Sequence, residues 1–143
     1  MTSKEIHKQH LQEHLQELED ALAVGLEQRS STIGLHTSAC SIDLLELYLH
    51  CLDKISIGSM VKHEWFKAPK PEQKIMPLAE RMLEVDFPAK EEIFSLMYLI
   101  EENRNKLIYG RPNRSTTEIV LNAFRKLHAL IKEKLQESGE QIE

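Results

Sequence analysis

The 143-residue chain contains no apolar run that approaches the roughly 20 residues a membrane-crossing helix needs, so no spanning segment is expected. Cysteine is scarce. Cys40 and Cys51 are the only two, eleven residues apart in one helix-like stretch. At about 1.5 Å of rise per residue they stand too far apart to bridge each other, and a reduced, cytoplasmic protein is the expected setting. The polar start MTSKEIHKQH does not have the make-up of a signal peptide. Five Gly and five Pro fall almost wholly between periodic segments, and no stretch alternates apolar and polar residues as a strand would. A P-loop, a glycine-rich dinucleotide fingerprint and an H-E-x-x-H element are all missing. That argues against nucleotide hydrolysis and hydride transfer, and no cofactor is expected.

What remains is helical periodicity in a chain long enough for one domain with a proper core. Leu11, Leu15, Leu18, Leu22 and Leu26 place an apolar stripe on a first helix from about Ser3 to Gln28. RSST then supplies capping residues for a second helix, about Ser31 to Ile55, striped by Cys40, Leu44, Leu47, Cys51 and Ile55. Leu45, Tyr48, Leu49 and Leu52 widen that face, so this helix is expected to be the most buried. A loop-like insert from Ser56 to Pro77 holds the only Trp, and a short helix from about Leu78 to Val85 follows. Pro88, Glu91 and Glu92 suit the start of a long helix carrying Ile93, Phe94, Met97, Ile100, Leu107 and Ile108. Gly110 and Pro112 suit its end. STTE, Ser115 to Glu118, reads as a capping box opening the last helix, and residues from about 136 to 143 are expected to fray. The fold class is therefore all-α: a single domain over residues 1–143, an antiparallel up-and-down bundle of four long helices plus a short extra one.

The net charge of −5 conceals a pattern. Residues 1–28 balance to −4 and residues 75–102 to −5, whereas residues 103–114 carry Arg104, Lys106, Arg111 and Arg114 with no acid. Residues 62–74 hold four Lys against Glu64 and Glu72. Two basic segments in an acidic chain fit either an anionic partner at a defined place or solvated loops.

Three constellations stand out. His7, His10 and His14 share one helical face and are of a type that ligates zinc, but no carboxylate–histidine pattern of the di-iron kind recurs on another helix. They read as the polar border of a packed or dimeric seam, with no metal expected. Trp65 and Phe66 lie among Lys62, Lys67 and Lys70, either as a platform for a stacked base or as anchors pinning the insert to the core. Finally, Arg104 lies eleven residues after Ile93, seven after Met97 and four after Ile100, nearly in phase with the apolar stripe. A guanidinium there must be paired, cap the helix end, or line a cleft or subunit interface. Asn105 and Tyr109 share the adjacent face.

Within RNKLIYG, at the end of the penultimate long helix, Arg104, Asn105 and Gly110 resemble the motif of HEPN domains (higher eukaryotes and prokaryotes nucleotide-binding). In that family an Arg and a polar residue are followed by a His and commonly a Gly. The resemblance implies a cytoplasmic homodimer with two motifs facing each other. Active members are metal-independent endoribonucleases, and many are toxins encoded beside a small nucleotidyltransferase antitoxin; others only bind nucleotides or protein partners. This chain departs from the family where chemistry would occur, because Tyr109 stands at the His position. A phenol with a pKa near 10 is a poor general base at neutral pH, though it donates hydrogen bonds to phosphate. His128, on the last helix with Phe124 and Leu127, is not aimed at Arg104 by anything in the sequence.

Three readings stay open. The first is a dimeric module binding RNA, nucleotide or a nucleotidyltransferase partner. It would use Arg104, Asn105, Lys106, Tyr109, Arg111 and Arg114, with Lys62, Trp65 and Lys67 of the insert. The second is an active endoribonuclease toxin in which Tyr109 or a displaced His replaces the motif His. The third is a structural bundle with no nucleic-acid role.

Overall fold

A computed structural model describes residues 4–56, 58–70, 72–111 and 113–142. The expected helix start at Ser3 and the contribution of Pro112 to a helix stop lie outside these residues. Four long helices form: α1 (Lys4–Val24), α2 (Ser30–Cys51), α4 (Lys90–Tyr109) and α5 (Arg114–Glu137), with a short α3 (Leu78–Met82). No strand occurs among the described residues, as the missing alternation implied.

The core is built around α2. Fourteen of its 22 residues are buried, and it packs against α1, α4 and α5. Its apolar run leaves no polar stripe wide enough to face solvent, so neighbours cover it on three sides. Chain directions follow from contacts at both ends of α2. The Ser31 hydroxyl donates to the Ile108 carbonyl at 3.0 Å, while the Tyr48 hydroxyl donates to the Pro88 carbonyl at 3.0 Å. The start of α2 thus meets the end of α4, and the two run antiparallel. With short turns joining α1 to α2 and α4 to α5, the bundle is up-and-down.

Local details differ from expectation. Helix α1 stops at Val24 rather than near Gln28, because Gly25 takes a φ of +139°. No side chain of RSST caps α2, whose flanking residue is Arg29. The cap of α5 is Asn113, whose side chain accepts from the Thr116 N–H at 3.2 Å, two residues before the expected capping box. Helix α4 opens from Ala89 in the left-handed region, at φ +64°, and Pro88 stays outside it. The tail expected to fray turns back: α5 runs to Glu137, Glu140 pairs with Lys4 and Lys8, and Ile142 packs against the core.

The insert is less loop-like than its prolines suggested. His63–Phe66 forms a 3₁₀ turn docked on α4. Phe66 is buried edge-on against Phe94, with ring centroids 5.3 Å apart, and also meets Tyr98. The Val61 N–H donates to the buried Glu46 carboxylate of α2 at 2.9 Å. Two anchors therefore bracket residues 61–66 and hold that short stretch over the seam between α2 and α4.

Candidate functional site

That stretch roofs a cleft of about 560 Å³ with Arg104 of α4 at its edge. Leu35, Ser38, Ala39, Ile42 and Asp43 of α2 form one wall, and residues 60–64 form the other. The volume lies within the range of about 300–1,000 Å³ typical of small-molecule sites. Leu35 and Met60 leave the rim apolar and exposed, while Lys62, His63 and Arg104 supply donors. A larger hollow of about 700 Å³ lies elsewhere, but Glu80, Glu84, Asp86 and Glu91 line it, which suits no phosphate.

Arg104 borders the buried stripe as its phase predicted. Ile93, Met97, Ile100 and Leu107 are buried, and Arg104 is half-buried. Its Nη1 donates to the Asn105 side-chain oxygen at 3.2 Å, and its buried Nε has no acceptor. Among the described residues no carboxylate pairs with it within 4.0 Å. The guanidinium is therefore neither in a private salt bridge nor capping the carbonyls of its own helix. A buried donor left open is costly, so this atom calls for a partner from outside the chain, whether water or ligand.

Beside it stands a histidine that sequence reasoning passed over. His63 Nδ1 lies 3.0 Å from Glu101 Oε2, and its Nε2 lies 3.0 Å from Glu64 Oε1. A neutral ring donates to only one of these carboxylates. The Glu101 side chain is 11% exposed and anchors the ring, whereas that of Glu64 is 63% exposed and free to move aside. Burial pushes the Glu101 carboxyl up, against the hydrogen bond from His63 and the charge of Arg104. The opposite happens at Asp43. Burial raises it too, but hydrogen bonds from His14 and His7 outweigh that and hold the carboxyl below its usual range. Asp43 in the cleft lining and Glu101 behind it are thus each engaged by imidazoles.

The remaining sequence candidates spread outward. Lys62 lines the cleft, but Trp65 is half-buried against the core and Lys67 is exposed outside the lining. Asn105 touches Arg104 but, like the exposed Lys106 and Arg111, is outside the lining, and Tyr109 is 79% exposed at the end of α4. Arg114 pairs with Glu118 at 3.0 Å on α5. Of the four-base segment only Arg104 enters the cleft. His63 was hidden because its carboxylate lies 38 residues on, on another element. Its position next to Lys62 in KHEWFK was the single local signal.

The histidine face of α1 is a correction. His7 is not a polar border residue but is fully buried, and with His10 and His14 it surrounds Asp43 of α2. His128 stacks on Phe124, with ring centroids 5.9 Å apart, and lines a groove between α1 and α5 far along the sequence from Arg104. Cys40 is buried and Cys51 half-buried, both unbridged as their spacing required. No helix among the described residues is long and apolar enough to cross a membrane. No protein-family model, curated protein or solved structure matches the chain.

Proposed function

We propose that the cleft is a phosphate-recognition site through which a HEPN-like homodimer binds RNA or a nucleotide. The observation that carries this reading is Arg104, half-buried at the cleft edge with an open Nε and no ion pair among the described residues. Lys62 adds a second cation, and Leu35, Ile42, Met60 and Val61 offer an apolar wall against which a base can lie. Phosphate on one side and a flat apolar face on the other match a nucleotide unit of a single strand. Asn105 supports the site by accepting from Arg104, and Tyr109, outside the lining, joins a site only across a two-fold interface.

The test is fluorescence anisotropy with a short labelled RNA and with adenine nucleotides, over a range of salt concentrations. Binding is expected to weaken with salt and to weaken further in Lys62→Ala, with a shallower salt slope. Salt-independent binding, or binding unchanged by Lys62→Ala, removes the reading. Light scattering on the same samples reports the dimer.

One observation favours a second reading, metal-independent RNA cleavage. His63, oriented by Glu101 and lining the same cleft as Arg104, is a histidine–carboxylate pair of the kind that moves protons. In such a reaction the ribose 2′-hydroxyl attacks the adjacent phosphate and His63 takes its proton; the P–O5′ bond breaks to leave a 2′,3′-cyclic phosphate, the departing 5′-oxygen takes a proton from water, and Arg104 stabilises the charge that develops. Cleavage that persists in EDTA and is lost in His63→Asn is the expected result. RNA left intact by the unaltered protein removes this second reading and leaves binding untouched.

A further inference from the structure

Five of the seven histidines, His7, His10, His14, His36 and His50, gather along the seam between α1 and α2, and the cleft function uses none of them. At the centre is His7. Its Nδ1 lies 3.2 Å from Asp43 Oδ1, and its Nε2 lies 3.4 Å from Glu46 Oε2 but outside hydrogen-bond geometry. The side chain is 0% exposed, so Nε2 is a buried polar atom without a hydrogen-bond partner. His50 packs against this ring, with centroids 5.3 Å apart, and its own Nε2 is likewise buried and unpartnered. A fully buried, open imidazole nitrogen beside two carboxylates, with a second open imidazole packed on its ring, is hard to explain as packing alone.

We propose that His7, Asp43 and Glu46 hold a divalent transition-metal ion of the zinc class. Each offers one donor atom, and the three atoms lie within 4.8 Å of one another. Tetrahedral bonds of about 2.0–2.2 Å to nitrogen and oxygen require ligand atoms about 3.3 Å apart, so closure asks for shifts of side-chain torsions rather than of helices. An imidazole among carboxylates selects zinc, cobalt or iron over calcium and magnesium, which prefer all-oxygen shells. One nitrogen of His7 takes the ion and the other carries the ring proton. The surrounding shell is already in place. The Val61 N–H holds Glu46 Oε1 at 2.9 Å, and His14 Nε2 stands 3.3 Å from Asp43 Oδ2. Such an ion fastens α1 to α2 and, through Glu46 and Val61, steadies the segment that roofs the cleft.

The experiment uses the full chain stripped with EDTA and then titrated with Zn²⁺ by calorimetry and with Co²⁺ by visible absorption. One ion per chain, a rise in melting temperature and the intense absorption of four-coordinate Co²⁺ are expected. Glu46→Gln, which keeps shape and the bond to Val61, is expected to weaken binding by about tenfold or more. His7→Gln is expected to abolish it; should that variant not fold, Glu46→Gln decides alone. Absence of binding overturns the proposal. So does binding that survives Glu46→Gln but disappears in His10→Ala/His36→Ala, because the ion then sits on those outer histidines.

Discussion

His63 on the connection and Glu101 on α4 meet at 3.0 Å, one helical turn before Arg104. This contact fixes an imidazole in the cleft that Arg104 borders. It also makes the roof of the cleft sensitive to the ionisation of one half-buried carboxyl.

That sensitivity has a definite sign. Burial outweighs the hydrogen bond from His63 and the positive charges of His63 and Arg104, and leaves Glu101 with a folded-state pKa above its ordinary 4.5. The folded state therefore holds this proton more tightly than the unfolded state does. The associated stability is present below pH 4.5 and is lost as pH rises through the raised value. Glu101→Gln keeps an acceptor for His63 but cannot ionise. Urea unfolding from pH 4 to 7 is expected to show the unaltered protein losing stability relative to Glu101→Gln over that window. A difference between the two that stays flat, or that runs the other way, contradicts the assignment.

Gly34 sits where α2 crosses α4 most closely. A Cβ there falls 2.7 Å from Leu107 Cβ and 3.2 Å from Ile108 Cγ1. Gly34→Ala gains helix propensity worth up to about 1 kcal/mol, but overpacking a fitted seam costs about 1–3 kcal/mol. The expected outcome is net destabilisation in chemical unfolding, with the start of α2 pushed off the end of α4.

Asn113 carries the cap of α5. Asn113→Ala is expected to lower stability by about 0.5–2 kcal/mol, and Ser115→Ala by much less. Thermal or urea unfolding of the two variants side by side checks the order. An equal or larger loss at Ser115 would place the cap where the S-T-T-E pattern suggested.

The contrast between those two residues shows what was legible in advance. Helix count, order and the dominance of α2 follow from periodicity, because apolar stripes must be buried whatever the partner. Arg104 was legible for the same reason: a charge in phase with Ile93, Met97 and Ile100 needs an exit. Ends of helices were less so. Asn113, Ser115 and Thr116 all suit a cap, and only the path of the chain selects among them. Least legible was anything joined through space. His63 with Glu101, and His7 with Asp43 and Glu46, pair residues 36 to 39 positions apart on different elements, with no local pattern to mark them.

Arg104 decides the central claim. It is half-buried and unpaired, so replacing it removes a donor from the cleft without breaking an ion pair that the fold uses. The most direct measurement is the affinity of a short single-stranded RNA for the unaltered protein, Arg104→Ala and Lys67→Ala at one salt concentration, with circular dichroism melts confirming the fold of each. A charged hydrogen bond of about 1.5–3 kcal/mol predicts a loss of at least about tenfold in Arg104→Ala. Lys67, exposed and outside the cleft, is expected to change affinity much less. Equal affinities for Arg104→Ala and the unaltered protein would contradict the account.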